Sequence, residues 1–392
     1  MIESKNKAFD ACTIYLLLWA LGYVQKMFIS SSLISMLFYL PYMGMTLYYV
    51  VKVFTNYRPK GVMLAFTAFF VVLLCYGLAL VLLDNSVKDN KSFLMFIINN
   101  LAPLFAFYCF SRQGLLTEKR LLLWFIIFLV IATLDFYTAQ RKGLALLAEE
   151  GSQYEEITNN AAYSMLGLMP FVFLLRKKPM WQYIFLAYVM FIVVTGLKRG
   201  AILISLFLLL WFVYAQTKSA SRGKKVLLLS LTIAFLAIGW RFVMQFYENS
   251  DYFQHRLEAT LEGSSSNRDW IYSTLWNHYI NNGNFLQLVF GEGGFHTVNV
   301  SGYMAHNDWL ELLIDCGLFG VVVYLIYWIS FIRDWVRIKS DIIVYSMMGA
   351  CFIFTFMKTL FSMSFFSMPF YISMIMGYCF AQVHEIKNSD LQ

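Results

Sequence analysis

Residues 61–83 read GVMLAFTAFFVVLLCYGLALVLL, twenty-three residues without a single charge. A helix over that run is about 34 Å long at 1.5 Å per residue, enough to cross the ~30 Å hydrocarbon layer of a bilayer. The rest of the chain has the same character. Of its 392 residues, 60% are hydrophobic and only 14% are charged, and the mean hydropathy is +0.62. That is more apolar surface than one soluble interior can hide, so lipid must be the solvent. A cytosolic enzyme, a disordered scaffold and a disulfide-stapled secreted domain are excluded. The expected fold class is all-α: a polytopic membrane protein forming a single membrane domain over residues 1–392.

The same reading predicts about twelve transmembrane helices, over residues 8–24, 34–54, 61–83, 92–110, 121–138, 160–175, 180–196, 199–215, 225–244, 308–332, 341–358 and 364–383. The first is read as a retained helix and not a cleaved signal peptide. Pro170 inside the short sixth span is tolerable where packed neighbours satisfy the freed backbone groups. The six cysteines lie in apolar runs and read as small buried or lipid-facing residues, not as a disulfide or metal set.

Lys and Arg set the orientation. With the N-terminus in the cytoplasm, the loops on that side hold nineteen of the thirty, among them Lys5, Lys7, Arg176, Lys177, Lys178, Arg222, Lys224 and Lys225. The opposite side carries acids such as Glu149, Glu150, Glu155 and Glu156. Both termini are therefore expected inside. The net charge of +7 needs no nucleic acid to explain it. Two outer loops are long enough to hold structure, 139–159 and the larger 245–307, where short helices are expected.

Charged and polar residues near the outer face are the functional candidates, because ionisable groups at membrane depth are costly. The turn Gly196-Leu197-Lys198-Arg199-Gly200 places two cations between spans seven and eight. In Ser264-Ser265-Ser266-Asn267-Arg268-Asp269, Ser266 and Asp269 have capping-box spacing, which puts Arg268 in a helix's first turn. Ile271, Leu275 and Tyr279 then recur every four residues, as on one helix face. A helix N-terminus bearing an extra Arg suits an anion.

The run Gly291-Glu292-Gly293-Gly294-Phe295 lacks the strand and helix of a nucleotide fingerprint and reads as a flexible turn. Asp308 and Glu311 have capping-box spacing at the start of the tenth span, with His306 and Asn307 just before it at the water boundary. Asp308, Glu311 and Asp315 fall on one helix face, and Asp315, two turns in, needs a partner such as Lys358 or an Arg. His255 and His278 are read as isolated loop residues. The sequence has no Asp-x-Asp, Cys-x-x-Cys, His-x-x-x-His or Walker loop, so neither a metal site nor a cofactor is expected.

Lys-Arg-Gly-Ala at 198–201, Asn-Arg-Asp-Trp at 267–270, Gly-Glu-Gly-Gly-Phe at 291–295 and Ala-His-Asn-Asp-Trp-Leu-Glu at 305–311 together resemble the bacterial O-antigen ligase/polymerase superfamily. In that family a Ser-Arg-Gly-like turn, an Arg before an aromatic residue, a Gly-x-Gly turn and a His-Asn-x-x-Leu motif follow one another around one large periplasmic loop. The likeness covers residues 196–320, and Lys198 stands where Ser is commoner.

The resemblance implies a GT-C-like, metal-independent, inverting glycosyltransferase of the inner membrane with its site facing the periplasm. Its donor would be an undecaprenyl-diphosphate-linked glycan. The acceptor would be a lipid-linked glycan in an O-antigen polymerase, or lipid A–core in an O-antigen ligase. Membrane lipids and a chain-length regulator would be partners. Arg199, Arg268 and His306 would be catalytic, and Lys198, Gly293, Asn307, Asp308 and Glu311 would bind substrate. A lipid-linked glycan transporter is the alternative of another class; it would require charges near the bilayer midplane and two-half symmetry.

Overall fold

The computed structural model describes residues 10–29, 31–83, 87–150, 159–196, 198–218, 220–248, 254, 267–281 and 284–389. Among these residues the regular elements are all helical. Lys5, Lys7, Glu155, Glu156, Leu197, His255 and the Ser264–Ser266 run lie outside the described residues.

In chain order the α-helices are α1 (Ala11–Phe28), α2 (Ser32–Asn56), α3 (Val62–Leu83), α4 (Val87–Leu101), α5 (Pro103–Arg112), α6 (Glu118–Glu150), α7 (Ala161–Leu166), α8 (Pro179–Thr195), α9 (Arg199–Lys218) and α10 (Arg222–Glu248). After them come α11 (Arg268–Asn281), α12 (Phe285–Phe290), α13 (His296–Ser301), α14 (Asp308–Arg337), α15 (Ile342–Phe361) and α16 (Phe370–Ser389). Helix falls on each of the twelve apolar stretches, and eight segments of the described chain are long and apolar enough to cross a membrane.

The expected 92–110 span is divided at Ala102, and the last helix begins at Phe370 and not at 364; three further stretches differ from the sequence expectation. Residues 160–175 do not form one helix. α7 ends after six residues, and a 3₁₀ turn over Met169–Leu175 follows, with Pro170 in its first turn. Pro170 has no N–H to continue the α pattern, and the broken backbone is buried among neighbouring helices. α6 does not stop near residue 138 but runs to Glu150, so the first half of the expected 139–159 loop is helix.

The third difference positions the site. α14 is not a straight span. At Gly317 the backbone takes φ 64° and ψ −165°, a region essentially restricted to glycine. In a straight helix Asp308 and Tyr324 would be separated by about 24 Å. Instead the Tyr324 hydroxyl donates to Asp308 Oδ2 at 2.8 Å, and the Trp309 and Tyr324 rings lie 5.1 Å apart. The arm Asp308–Cys316 therefore folds back against the arm that begins at Leu318. A Cβ on Gly317 would sit 2.5 Å from the Val289 carbonyl and the Gly291 nitrogen.

The folded-back arm supports the loop helices. Ile271 and Leu275 of α11 pack against Ala305 and Ile314, the amphipathic face that the four-residue spacing predicted. The remaining core is one large aromatic and aliphatic cluster, with α5 buried along almost its whole length. At the other end of α14, buried Asp334 accepts the Val62 N–H at 2.7 Å and caps α3.

Gly317→Ala is expected to lose the docking of 289–291 against α14. Gly114, with φ +69° and open space around it, provides the control. Gly114→Ala should cost only the ~1–2 kcal/mol of a left-handed residue, whereas Gly317→Ala should lower the Tm of the detergent-solubilised protein far more. Equal Tm losses would contradict the fold-back.

Candidate functional site

Four helix ends meet where the motifs converge. Arg199 opens α9, Arg268 opens α11, His306 and Asn307 precede α14, and Phe361 ends α15. Arg268 Nη1 donates to the Phe361 carbonyl at 3.0 Å. A guanidinium at the carbonyl end of α15 is favourable, although at the start of its own helix it opposes the dipole. Lys198 and Arg199 arrive at the same place. A Cβ on Gly200 would stand 2.3 Å from the Tyr163 hydroxyl and 3.2 Å from Phe361 Cβ, so any larger residue would displace the Tyr163 hydroxyl where α9 starts beside α7 and α15. The Arg199 nitrogens Nε and Nη2 are shut off from solvent.

Asn159 holds this corner together. Its amide donates to the Phe136 carbonyl at 2.9 Å, its side-chain oxygen accepts the Ala161 N–H at 3.0 Å, and its own N–H reaches the Gly196 carbonyl at 3.3 Å.

His306 sits in the left-handed region, φ 51°, between two anchored neighbours. On one side the Ala305 N–H donates to Glu311 Oε2 at 2.7 Å; on the other, Asn307 Oδ1 accepts from the N–H groups of Trp309 and Leu310 at 2.9 and 3.2 Å. A non-glycine residue held at positive φ by flanking bonds marks a position that the surroundings over-determine. The His306 residue is exposed to solvent, and its ring is partly desolvated. That loss of water, together with the Arg268 and Lys198 cations, lowers its pKa below the ordinary imidazole value. Its neutral form, the one able to accept a proton, therefore persists to lower pH. Asp269 is the acid beside Arg268 in the first turn of α11, and Tyr272 lies near Asn307.

The acids behave differently from the capping-box expectation. Asn307 is the N-cap of α14, and Asp308 is buried one residue inside it. Asp308 accepts the Tyr324 hydroxyl and, through Oδ1, the Ser364 N–H at 2.9 Å, tying the α15–α16 connection to α14. Glu311 accepts from Thr297 Oγ1 at 2.8 Å as well as from Ala305. Asp315 is partnered by neither Lys358 nor an Arg. Its two oxygens accept the N–H groups of Phe295 and His296, each at 3.0 Å. Lys358 instead donates to Ser367, with its ammonium 5.5 Å from the centre of the Tyr163 ring.

Gly293 is not among the cations. The glycine-rich turn is docked, not flexible. The Glu292 N–H donates to the Ile314 carbonyl at 2.9 Å, and the Gly293 N–H donates to that of Asp315 at 3.0 Å. His278 is not isolated either; its ring meets Glu292, 2.8 Å away. The structure thus gathers Lys198, Arg199, Arg268, His306 and Asn307, and it adds Tyr163, which no spacing in the sequence had marked.

A cavity of about 530 Å³ touches α7 at the residue after Tyr163. Ser164 lines it, with Trp19, Tyr23, Tyr39, Asn99 and Asp135. Tyr23 donates to Asp135 Oδ2 at 3.0 Å, and Tyr39 donates to Asn99 Oδ1 at 2.9 Å. Aromatic faces beside hydrogen-bonding groups suit a sugar ring. No protein family and no curated protein matches the chain.

The cations around His306 give a signed pH prediction. Arg268→Gln or Lys198→Gln should raise the His306 pKa toward the ordinary value, because each removes a charge that repels the proton. Titration of labelled His306 by NMR reads the shift; an unchanged or lower pKa in both variants would contradict the arrangement.

Proposed function

We propose that the chain is a glycosyltransferase that moves an undecaprenyl-diphosphate-linked glycan to a sugar hydroxyl at the periplasmic face of the bacterial inner membrane. Surface-polysaccharide or O-antigen polymerisation is the preferred activity, and ligation to lipid A–core is the second. The reading places twelve crossings in the membrane, both termini in the cytoplasm and the 245–307 segment outside. It rests on one observation above all: Lys198 and Arg268, at the starts of two separate helices, each act electrostatically on His306 at the start of a third, with Arg199 next to Lys198 in the chain.

Breaking the anomeric C–O bond leaves negative charge on a diphosphate. Arg199 and Arg268 would receive it, because guanidinium forks bind phosphate oxygens in bidentate fashion and stay charged. Lys198 would add a point charge. His306 Nε2 or Nδ1 would take the acceptor hydroxyl proton as the new glycosidic bond forms, so the anomeric centre inverts and undecaprenyl diphosphate departs. The lowered His306 pKa keeps the base neutral at working pH. Asp308 and Glu311 act here as positioning residues, since their oxygens hold the Ser364, Thr297 and Ala305 groups that frame the turn. The cavity lined by Ser164 of α7 offers room for the sugars of donor or acceptor. Clustering of the cations at helix ends favours transfer over transport, which would place them near the midplane.

Arg199→Ala should reduce transfer by roughly 10²–10³-fold, and His306→Ala by roughly 10²–10⁴-fold. In cells both variants should lose the polymeric surface glycan while the protein remains in the membrane. Full glycan from both variants would overturn the proposal.

A further inference from the structure

His278, Glu292 and His296 are far apart in function from the cluster above but close together in space. His278 Nε2 lies 2.8 Å from Glu292 Oε1, and His296 Nε2 lies 2.7 Å from Glu292 Oε2. The three donor atoms all fall within 4.8 Å of one another. We propose that these three side chains bind a divalent transition-metal ion, with zinc the best fit, and that the ion pins the C-terminal end of α11 to the glycine-rich turn.

The donor chemistry fits. Two imidazoles and one carboxylate form a three-ligand zinc set that leaves a fourth position for water. Metal–ligand distances near 2.0–2.2 Å in a tetrahedron place the ligand atoms about 3.4 Å apart. The two imidazole–carboxylate separations, 2.8 and 2.7 Å, need to open by about 0.6–0.7 Å, within the reach of side-chain rotation, and the two imidazole nitrogens already lie within 4.8 Å of each other. On binding, each imidazole would present its Nε2 lone pair and carry its proton on Nδ1. The side chains of His278, His296 and Glu292 are 34%, 28% and 12% exposed, so the carboxylate is enclosed while one side of the cluster faces solvent.

The frame is built independently of any ion. Glu292 and His296 both hang from the folded-back arm of α14. The Glu292 N–H bonds to the Ile314 carbonyl, and the His296 N–H bonds to the buried Asp315 carboxylate at 3.0 Å. His278 belongs to the last turn of α11, whose Leu275 is fully buried against the same arm. Two of the three ligands are therefore oriented before binding, which is what a tight site requires. Arg268 and His278 are ten residues apart on α11, about 15 Å along its axis. The ion is thus a strut for the helix that carries Arg268 and takes no part in phosphate chemistry. This inference stands whether or not the transfer activity does.

The test uses the full chain without a polyhistidine tag, purified in detergent, stripped with chelator and dialysed. Calorimetric titration with ZnCl2 should give one saturable site per chain, and Co2+ should give the visible absorption of a four- or five-coordinate ion. The His278→Ala/His296→Ala variant should lose both signals, and Glu292→Gln should weaken them, while His306→Ala keeps them. In the wild type alone, zinc should slow hydrogen exchange at the C-terminal end of α11. A wild-type chain with no saturable zinc uptake, or a double variant that binds zinc as the wild type does, would overturn the site. Glu292 would then be a carboxylate hydrogen-bonded by two imidazoles and nothing more.

Discussion

The break at Gly317 is the constraint on which the placement of residues 268–316 depends. A run of apolar residues would otherwise continue as one helix from Asp308 to Arg337. The φ 64°, ψ −165° conformation at Gly317 turns the first arm back instead, and the contact with Gly291 locks it there. From that arm hang the Asp308–Tyr324 bond, the Asp315 cap on α13 and the apolar seat of α11. His306 and Arg268 hold their places through these contacts. Had the helix remained straight, the three loop helices would have no surface to bury.

The acids and bases of this region have divided roles. Asp308, Glu311 and Asp315 are all buried, and each accepts a backbone N–H from another segment. Buried carboxylates need such partners, because an unsatisfied one costs several times what a bond returns. They act as struts between loop and membrane helices. The bases Lys198 and Arg268 are partly exposed at helix ends, while the Arg199 nitrogens Nε and Nη2 beside them are shut off from solvent. One set of charges ties segments together, and the proposed chemistry would fall to the other.

Much of this was legible in the sequence. Apolar runs located the long helices, the four-residue spacing of Ile271, Leu275 and Tyr279 gave α11 and its buried face, and the ordered motifs marked cations that the fold brings together. The departures share a cause. A glycine inside an apolar run reads equally as a tolerated helix residue or as a break, so Gly317 gave no warning of the fold-back. Capping spacing at Asp308 and Glu311 was a local signal overridden by long-range partners such as Ser364 and Thr297. Tyr163 lies far along the chain from Arg199 and Arg268, and His278 similarly from His296. No periodic pattern connects residues that meet only after the chain has folded.

The most direct measurement is transfer by the purified protein supplied with undecaprenyl-diphosphate-linked repeat units, read as a ladder of glycan lengths. A ladder that grows from lipid-linked repeats alone is the expected result, and it should disappear with the Arg268→Ala variant. Transfer only after lipid A–core is added would assign ligation to the same site. If intact protein moves no glycan to either acceptor, the helix-end cluster is not a glycosyl-transfer site.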